Sequence, residues 1–319
     1  MKKFIIKITI LFLILSAVTI PVNAMYVKKL GTDPDNTDKF HSVPEEIQLC
    51  NFGSSHGLCG FNYADSSEKY TCFNFALLSQ YLSYDYRIFE NYKDHIREGA
   101  IVFIPISYFS LLGTDEVYVG DFKSKNKRYY SFLPASQIKE YDAETAVFTK
   151  FLPIMAVDSE TVIKALQGKI TQDYNEAEWK RKATDMDVAE NAKAAYMRHV
   201  GYQYLEGGHL TVNQNEITSL YDLIDGCQTI GAVPILITVP YTRDYTDEVK
   251  KAGGFYEWFY SFMNQVSEDT GAEFYDYAFD ERFADKYEWF MNADHLNEYG
   301  ANHFTNILME EVAGKYLDM

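Results

Sequence analysis

The sequence has little positive charge: its 319 residues include 29 Lys and Arg against 46 Asp and Glu, which gives a formal net charge of −17. Non-specific affinity for nucleic acid comes mostly from basic side chains on phosphates, and the chain has no dense basic stripe that would supply them. We therefore expect no nucleic-acid partner. Hydrophobic residues make up 47% of the chain, so it is not a disordered acidic segment and can bury a sizeable core.

Cysteine is also scarce, with only Cys50, Cys59, Cys72 and Cys227 in the chain. None of them lies in a C-x-x-C pair or at a zinc-ligand spacing from a histidine, so we expect no metal site. An oxidising compartment would permit a disulfide, for which Cys59–Cys72 is a candidate pair. Buried free thiols are the alternative.

Only one long apolar run occurs, and it lies at the N terminus. Lys2, Lys3 and Lys7 precede or flank an apolar stretch over 8–20, and small residues follow as far as Ala24. This order is typical of a signal peptide over 1–24, although about 20 residues can also span a bilayer as an uncleaved anchor. Either interpretation predicts an extracytoplasmic protein, secreted or anchored to the membrane by this segment.

The remaining chain is predicted to be a polar lead-in over 25–45 followed by one domain over 46–319. Apolar runs bounded by turn residues predict strands over 47–52, 70–75, 100–107, 233–239 and 273–277. Helical periodicity predicts helices over 78–91, 217–230, 256–270 and 299–317. This alternation is typical of an α/β fold with a parallel sheet covered on both faces. The interval around 120–215, with a predicted helix over 175–199, breaks the rhythm and is interpreted as an insertion.

The first predicted strand leads into a turn of small residues, Asn51-Phe52-Gly53-Ser54-Ser55-His56-Gly57. Such a turn can expose a serine hydroxyl and aim backbone N–H groups at an anion, although helix capping is the simpler use of Ser and Gly. The segment also fits the G-x-S-x-G elbow of α/β-hydrolases. In those proteins several strands precede the elbow, whereas here there is room for one.

A second segment of interest, Asn292-Ala293-Asp294-His295-Leu296-Asn297, lies just before the last predicted helix. Acyl transfer at a serine needs a base that takes the hydroxyl proton and a group that orients the base. A histidine beside an amide and a carboxylate supplies both. A capping or packed histidine is the alternative.

Together these segments resemble the SGNH (GDSL-like) hydrolase superfamily, and within it the exported branch of DltD-like and alginate O-acetyltransferase-like proteins. Gly53-Ser54-Ser55 resembles the serine block of that superfamily, and the segment around His295 resembles its histidine block. The resemblance extends over most of 46–319 as a series of sequence blocks. Only the serine and histidine blocks are specific to the superfamily. It implies a three-layer, flavodoxin-like α/β sandwich with a central parallel sheet of about five strands. It also implies Ser55 as the nucleophile, His295 as the base and no cofactor.

At the other site positions the sequence departs from the pattern of the superfamily. Asn292 stands three residues before His295, where the superfamily has Asp, and Asp294 is adjacent to the histidine. Asn292, Asp294 or a distant acid would therefore orient His295, or the site would be a Ser–His dyad. The implied oxyanion hole uses the N–H groups of Ser55 and of Ser79, which stands at a Gly position. After the third strand the superfamily has Asn, and here Ser107 or Tyr108 would have to donate.

These residues predict a serine esterase or O-acyltransferase that acts, through an acyl-enzyme, on acyl (above all acetyl) esters of a cell-envelope or extracellular glycan. The acidic composition favours a neutral glycan over an anionic polymer as the partner. Several of the 26 Tyr and 22 Phe are expected to line the approach to Ser55. The alternative is a catalytically inactive module of the same fold that binds a glycan or a membrane partner.

Overall fold

The computed structural model describes residues 2–30, 36–113, 126–155, 159–168, 179–201 and 210–317. The chain divides into two compact units, Met1–His41 with Gly120–Asn175 and Ser42–Val119 with Glu176–Met319. We call them the N-terminal unit and the sheet unit. The predicted insertion over 120–215 is divided between the two, which differs from one domain with a single insertion.

The sheet unit is built on a five-stranded, all-parallel sheet. Its strands are β1 Ile47–Asn51, β2 Cys72–Asn74, β3 Ile96–Pro105, β4 Val233–Thr238 and β5 Glu273–Asp276. They are ordered β2-β1-β3-β4-β5. The fold is thus a flavodoxin-like three-layer α/β sandwich, as predicted. All five predicted strands are present, although β3 begins at Ile96 rather than at residue 100.

Burial along the strands explains why the apolar runs predicted them. The central strands β1 and β4 and the second half of β3 are almost entirely buried, whereas the edge strands β2 and β5 are only partly covered. A parallel sheet with helices on both faces hides both sides of its inner strands, so these strands are apolar throughout rather than alternating.

The predicted helices are present with shifts at their ends, whereas the helices over 143–151, 159–166 and 243–250 had no prediction. In chain order they are α1 Lys2–Leu30, α2 Ser55–Gly60, α3 Leu82–Tyr92, α4 Ala143–Phe151, α5 Ser159–Leu166, α6 Val188–Tyr196, α7 Gln214–Thr229, α8 Arg243–Lys250, α9 Gly254–Thr270, α10 Glu298–Leu308 and α11 Gly314–Leu317. A π-helical turn at Met309–Ala313 joins α10 to α11. Of the helix predicted over 175–199, residues 175–178 lie outside the described residues, and the rest is helical only from Val188.

The strand order fixes where a site can form. β1 pairs with β2 on one side and with β3 on the other. The connections after β1 and β3 therefore leave the sheet in opposite directions and open a crevice at the carboxyl ends of these two strands. Ser55 follows β1 and Ser107 follows β3, so the topology places both at this crevice.

The N-terminal unit contains the apolar helix α1. Its segment Lys2–Tyr26 has a mean hydropathy of 2.4 and is long and apolar enough to cross a membrane. Such a helix is compatible with a signal peptide or with a membrane anchor. The predicted boundary at residue 24 falls inside α1, and the predicted lead-in over 25–45 is helical as far as Leu30.

All four cysteines lie in the described residues and are free thiols. The candidate Cys59–Cys72 disulfide is therefore not formed. Three of the thiols are buried, and burial raises the pKa of Cys59 to about 12.

Candidate active site

Ser55 is presented by a tight turn between β1 and α2. Gly53 has φ 115°, a conformation that disfavours any side chain, and a Cβ at Gly57 would lie 2.4 Å from the carbonyl oxygen of Phe52. Ser54 occupies the N-cap position of α2 but makes no capping hydrogen bond with its side chain. The expected capping role of these serines is therefore wrong, and Ser55 begins the helix with its side chain partly exposed.

The side chain of Ser55 meets His295 from the loop before α10. The distance from Ser55 Oγ to His295 Nε2 is 2.8 Å, which is a normal hydrogen bond between a hydroxyl and a ring nitrogen. A serine and a base in such contact form the arrangement that activates a hydroxyl for attack. The two segments that the sequence singled out, 240 residues apart, are thus brought together.

Asn292 fixes the orientation and the proton position of the His295 ring. Its Oδ1 accepts hydrogen bonds from the backbone N–H groups of Asp294, at 3.1 Å, and of His295, at 2.8 Å. Because two N–H donors can face only the oxygen of the amide, that oxygen also faces His295 Nδ1, at 3.1 Å. Nδ1 must therefore carry the ring proton, which leaves the lone pair of Nε2 for the Ser55 hydroxyl.

Asp294 supplies the negative charge beside this ring. Its Oδ1 lies 3.2 Å from His295 Nδ1, and its side chain is 1% exposed. Burial alone would raise the pKa of Asp294, but the electrostatic interaction with His295 and the hydrogen bond from His56 lower this pKa well below its usual range. The carboxylate is therefore ionised, and both Asn292 and Asp294 contact the nitrogen of His295 that faces away from Ser55.

Two further histidines, to which the sequence assigned no role, complete the surroundings of Asp294. His56 Nε2 lies 3.3 Å from Asp294 Oδ2, and His199 Nδ1 lies 3.5 Å from the same oxygen. Burial lowers the pKa of His56 to about 4 and that of His199 to about 3, so both rings are neutral at neutral pH. His56 stabilises Asp294 as a neutral hydrogen-bond donor, and His199 packs as a neutral ring beside the same oxygen.

Hydroxyl groups hold these two rings in place. His56 Nδ1 lies 2.7 Å from Ser107 Oγ and 3.1 Å from the Tyr241 hydroxyl, so it accepts a hydrogen bond while Nε2–H points at Asp294. His199 Nδ1 lies 3.0 Å from the Tyr245 hydroxyl. Both tyrosines are buried, at 1% and 0% exposure. They are structural supports of the site and do not line an approach to Ser55.

One ligand atom from each of His56, His199 and Asp294 lies within 4.8 Å of the other two, a spacing at which a divalent ion can be held. In the structure, however, His56 bonds to Asp294 and His199 bonds to Tyr245. These contacts form a hydrogen-bonded network that holds the carboxylate.

Two of the predicted oxyanion donors are backbone N–H groups, those of Ser55 and Ser79. Ser55 begins α2, so its N–H has no acceptor within the helix. Ser79 has φ 49°, the left-handed conformation that favours glycine, which is the residue that the resemblance places there. The loop that carries it runs beside the nucleophile turn, since Leu77 N–H donates to Gly53 O at 3.2 Å.

Ser107 is used differently from the prediction. Its hydroxyl bonds to His56 at 2.7 Å, and its N–H donates to Ser110 Oγ at 3.0 Å. The hydroxyl of Tyr108, the other predicted donor, bonds to Tyr260 at 2.9 Å. Both side chains are thus engaged in support of the site, and the oxyanion donors that stay as predictions are the N–H groups of Ser55 and Ser79.

The nucleophile turn is also held from α3 by a buried carboxylate. Asp85, which is 1% exposed, accepts hydrogen bonds from Gly53 N–H at 2.9 Å and from Gln80 Nε2 at 2.5 Å. Burial raises the pKa of Asp85 to about 7. The hydrogen bonds from Gly53 and Gln80 oppose this rise, and the charge of the nearby Glu216 adds a smaller contribution to it. The side chain is therefore largely protonated below neutral pH.

Replacing Asp85 with asparagine should raise the free energy of unfolding at pH 8 by up to about 4 kcal/mol. Between about pH 4, the pKa of an unfolded aspartate, and about pH 7, the unfolded chain releases this proton while the folded chain keeps it. Stability therefore falls as pH rises through this window, and the asparagine of the variant cannot ionise. Urea unfolding from pH 5 to 8 measures the difference, with the exposed Asp222→Asn as the control. Equal pH dependence in wild type and Asp85→Asn would contradict the prediction.

Neither the known protein-family models nor the curated proteins match this chain. The resemblance to SGNH hydrolases therefore rests on the residues of the serine and histidine blocks, and the support for a role of these residues rests on their geometry.

Proposed function

We propose that the protein is an extracytoplasmic serine esterase or O-acyltransferase of the SGNH type, acting on acetyl or similar acyl esters of a neutral glycan. One observation carries the proposal: Ser55 Oγ lies 2.8 Å from His295 Nε2, while Asn292 holds the ring proton on Nδ1. A packed or capping histidine has no need of a serine hydroxyl on one nitrogen and an oriented acceptor on the other.

The proposed reaction begins when Ser55 Oγ attacks the ester carbonyl carbon and its proton passes to His295 Nε2. The oxyanion that forms is stabilised by the N–H groups of Ser55 and Ser79. His295 then donates the proton to the alcohol oxygen as the C–O bond breaks, which leaves an acyl-Ser55 enzyme. Water, or a sugar hydroxyl deprotonated by His295, attacks this ester, and Ser55 regains its proton. No cofactor takes part in these steps.

Asp294 contributes most when His295 is protonated. The imidazolium that forms during each proton transfer lies 3.2 Å from the Asp294 carboxylate, inside a site where water does not screen the charges. His56 and His199 keep that carboxylate in place without neutralising it. The charge and the orientation that a triad usually draws from one aspartate are thus divided between Asp294 and Asn292.

A fluorophosphonate probe should label the wild-type chain on Ser55, and Ser55→Ala should abolish the labelling. The probe needs an activated serine, and the acylated peptide can be identified by mass spectrometry. Ser54→Ala is the matched control, because Ser54 Oγ is buried and has no hydrogen-bond partner among the described residues. Acetate release from p-nitrophenyl acetate and from acetylated xylan measures turnover with the same variants.

Labelling that persists in Ser55→Ala, or the absence of both labelling and acetate release from a folded wild-type chain, would overturn the proposal. The second result would favour the inactive glycan-binding module. Transfer is separated from hydrolysis by adding xylan oligosaccharides as acceptors and measuring whether acetate appears on sugar or in water.

A further inference from the structure

Exposed apolar side chains are concentrated in one short segment of the N-terminal unit. Outside α1, the described residues expose six large apolar side chains, and five of them lie between residues 141 and 163. We call four of them the apolar patch: Val147, Phe151, Met155 and Ile163, which are 53%, 65%, 57% and 53% exposed. Single exposed apolar residues are ordinary on a soluble surface, but a cluster indicates a contact.

The patch lies on the elements that pack against the apolar helix α1. Both α5 and the turn at Pro153–Met155 contact α1. Ile154 N–H donates to Asn23 Oδ1 at 3.3 Å, and Tyr26 is only 5% exposed. Met155 and Ile163 are thus carried by segments that contact a helix able to span a membrane. Val147 and Phe151 lie on α4, which packs against the turn at Pro153–Met155.

Burial along α1 shows how far these contacts reach. The covered or partly covered side chains are Ser16, Thr19, Val22, Asn23 and Tyr26. They recur every three or four residues and so form one face of the helix. With a rise of 1.5 Å per residue, this face occupies about the last 15 Å of the apolar segment. Most of the earlier part of the segment is exposed on all sides, as expected for a helix surrounded by lipid.

The orientation of α1 in the membrane decides in which leaflet its covered face lies. Three lysines, Lys2, Lys3 and Lys7, lie at its N-terminal end and two, Lys28 and Lys29, at its other end, and this excess favours the cytoplasmic side for the N-terminal end. The covered face near Tyr26 then lies in the outer half of the bilayer. Any element that packs on this face is held at the level of the outer headgroups and acyl chains, where exposed apolar side chains are stabilised.

We propose that α1 is retained as a membrane anchor and that α4, α5 and the turn between them lie in the outer membrane interface, with the apolar patch in contact with lipid. Cleavage after Ala24 would remove four of the five covered positions of α1 and leave the surface of α5 without its cover. Lipid is the occupant that fits, because α5 and the turn contact the helix that can span the membrane, and α4 packs against that turn.

Nitroxide labels report the surroundings of each patch residue in the full chain. Val147→Cys, Phe151→Cys, Met155→Cys and Ile163→Cys are labelled one at a time and reconstituted into vesicles of phosphatidylcholine and phosphatidylglycerol. The unsubstituted chain gives the background from its own thiols, and Glu310→Cys, exposed on the sheet unit, gives the aqueous reference. Circular dichroism shows that each labelled chain is folded.

We expect all four labels to collide severalfold more with oxygen, relative to a water-soluble nickel reagent, than the label at residue 310 does. The intact mass of the chain purified from membranes should include residues 1–24. Water-like accessibility at the patch would overturn the proposal, and so would a mature chain that begins at Met25. Labels that are shielded from both reagents would indicate a protein contact, such as a second copy of the chain, and would equally overturn contact with lipid.

Discussion

Replacing His295 with alanine should lower kcat for p-nitrophenyl acetate by about 10⁶-fold, which is the loss seen when the serine or the histidine is removed from the triad of a serine protease. His295 Nε2 lies 2.8 Å from Ser55 Oγ and is the base in both halves of the proposed reaction. Without it the hydroxyl keeps its proton and is a weak nucleophile. Steady-state kinetics of the purified full chain measure the loss.

Two further variants test whether the loss of activity is specific to the pairing of His295 with Ser55. His303→Ala removes an exposed histidine elsewhere in the sheet unit and should leave kcat within about threefold of wild type, since surface substitutions change little. The double variant Ser55→Ala/His295→Ala should lose no more than either single variant, because residues that act as one unit are not additive. Losses that multiply, or a His295→Ala loss below about 100-fold, would show that His295 is not the base.

The fold could be predicted from the sequence because its strands are apolar throughout. In a parallel sheet both faces of β1 and β4 are buried, so each appears as an apolar run between turn residues. The division into two units was less accessible, because it depends on α1 packing against α5 and the turn at Pro153–Met155 across a long separation in sequence. No local pattern records such packing.

Ser55 and His295 could be predicted as site residues because each lies in a local motif beside a predicted strand or helix. The fold brings the two side chains together. His56 was within the serine motif, and its position beside the nucleophile was the one signal that could have drawn attention to it. His199 had no such signal: its contact with Asp294 joins segments about a hundred residues apart. The same limit applies to Ser107, whose place at the crevice was predictable but whose bond to His56 was not.

Asn292 shows why residue identity alone misjudges this site. An asparagine in place of the triad aspartate is harmful in a serine protease because its amide stabilises the wrong histidine tautomer. Here two backbone N–H groups hold the amide oxygen of Asn292 towards Nδ1, so the tautomer that catalysis needs is the one favoured. The amide NH₂ group is turned away from the ring. The sequence contains the asparagine but not this orientation.

Replacing Asp294 with asparagine should lower kcat by about 10³–10⁴-fold with little change in KM, whereas Asn292→Ala should cost only about tenfold. Asp294→Asn removes the charge that lies 3.2 Å from the imidazolium. Asn292→Ala removes only neutral hydrogen bonds, one to the ring and two to the backbone N–H groups of Asp294 and His295. A purely structural role of Asp294 would instead lower the melting temperature and leave kcat per folded molecule unchanged.

Asp294→Asn and Asn292→Ala are therefore compared by active-site titration with the fluorophosphonate probe, so that kcat refers to competent enzyme. A larger loss in Asn292→Ala than in Asp294→Asn would contradict the division of roles and indicate a Ser–His pair oriented by the amide alone.

The predicted order of the two losses has a physical origin in the hydrogen bonds around Asp294. A buried carboxylate is costly unless it is hydrogen-bonded, and neutral His56, held by Ser107 and Tyr241, donates the hydrogen bond that helps to keep it charged. A chain that used Asn292 alone would have no need of that support.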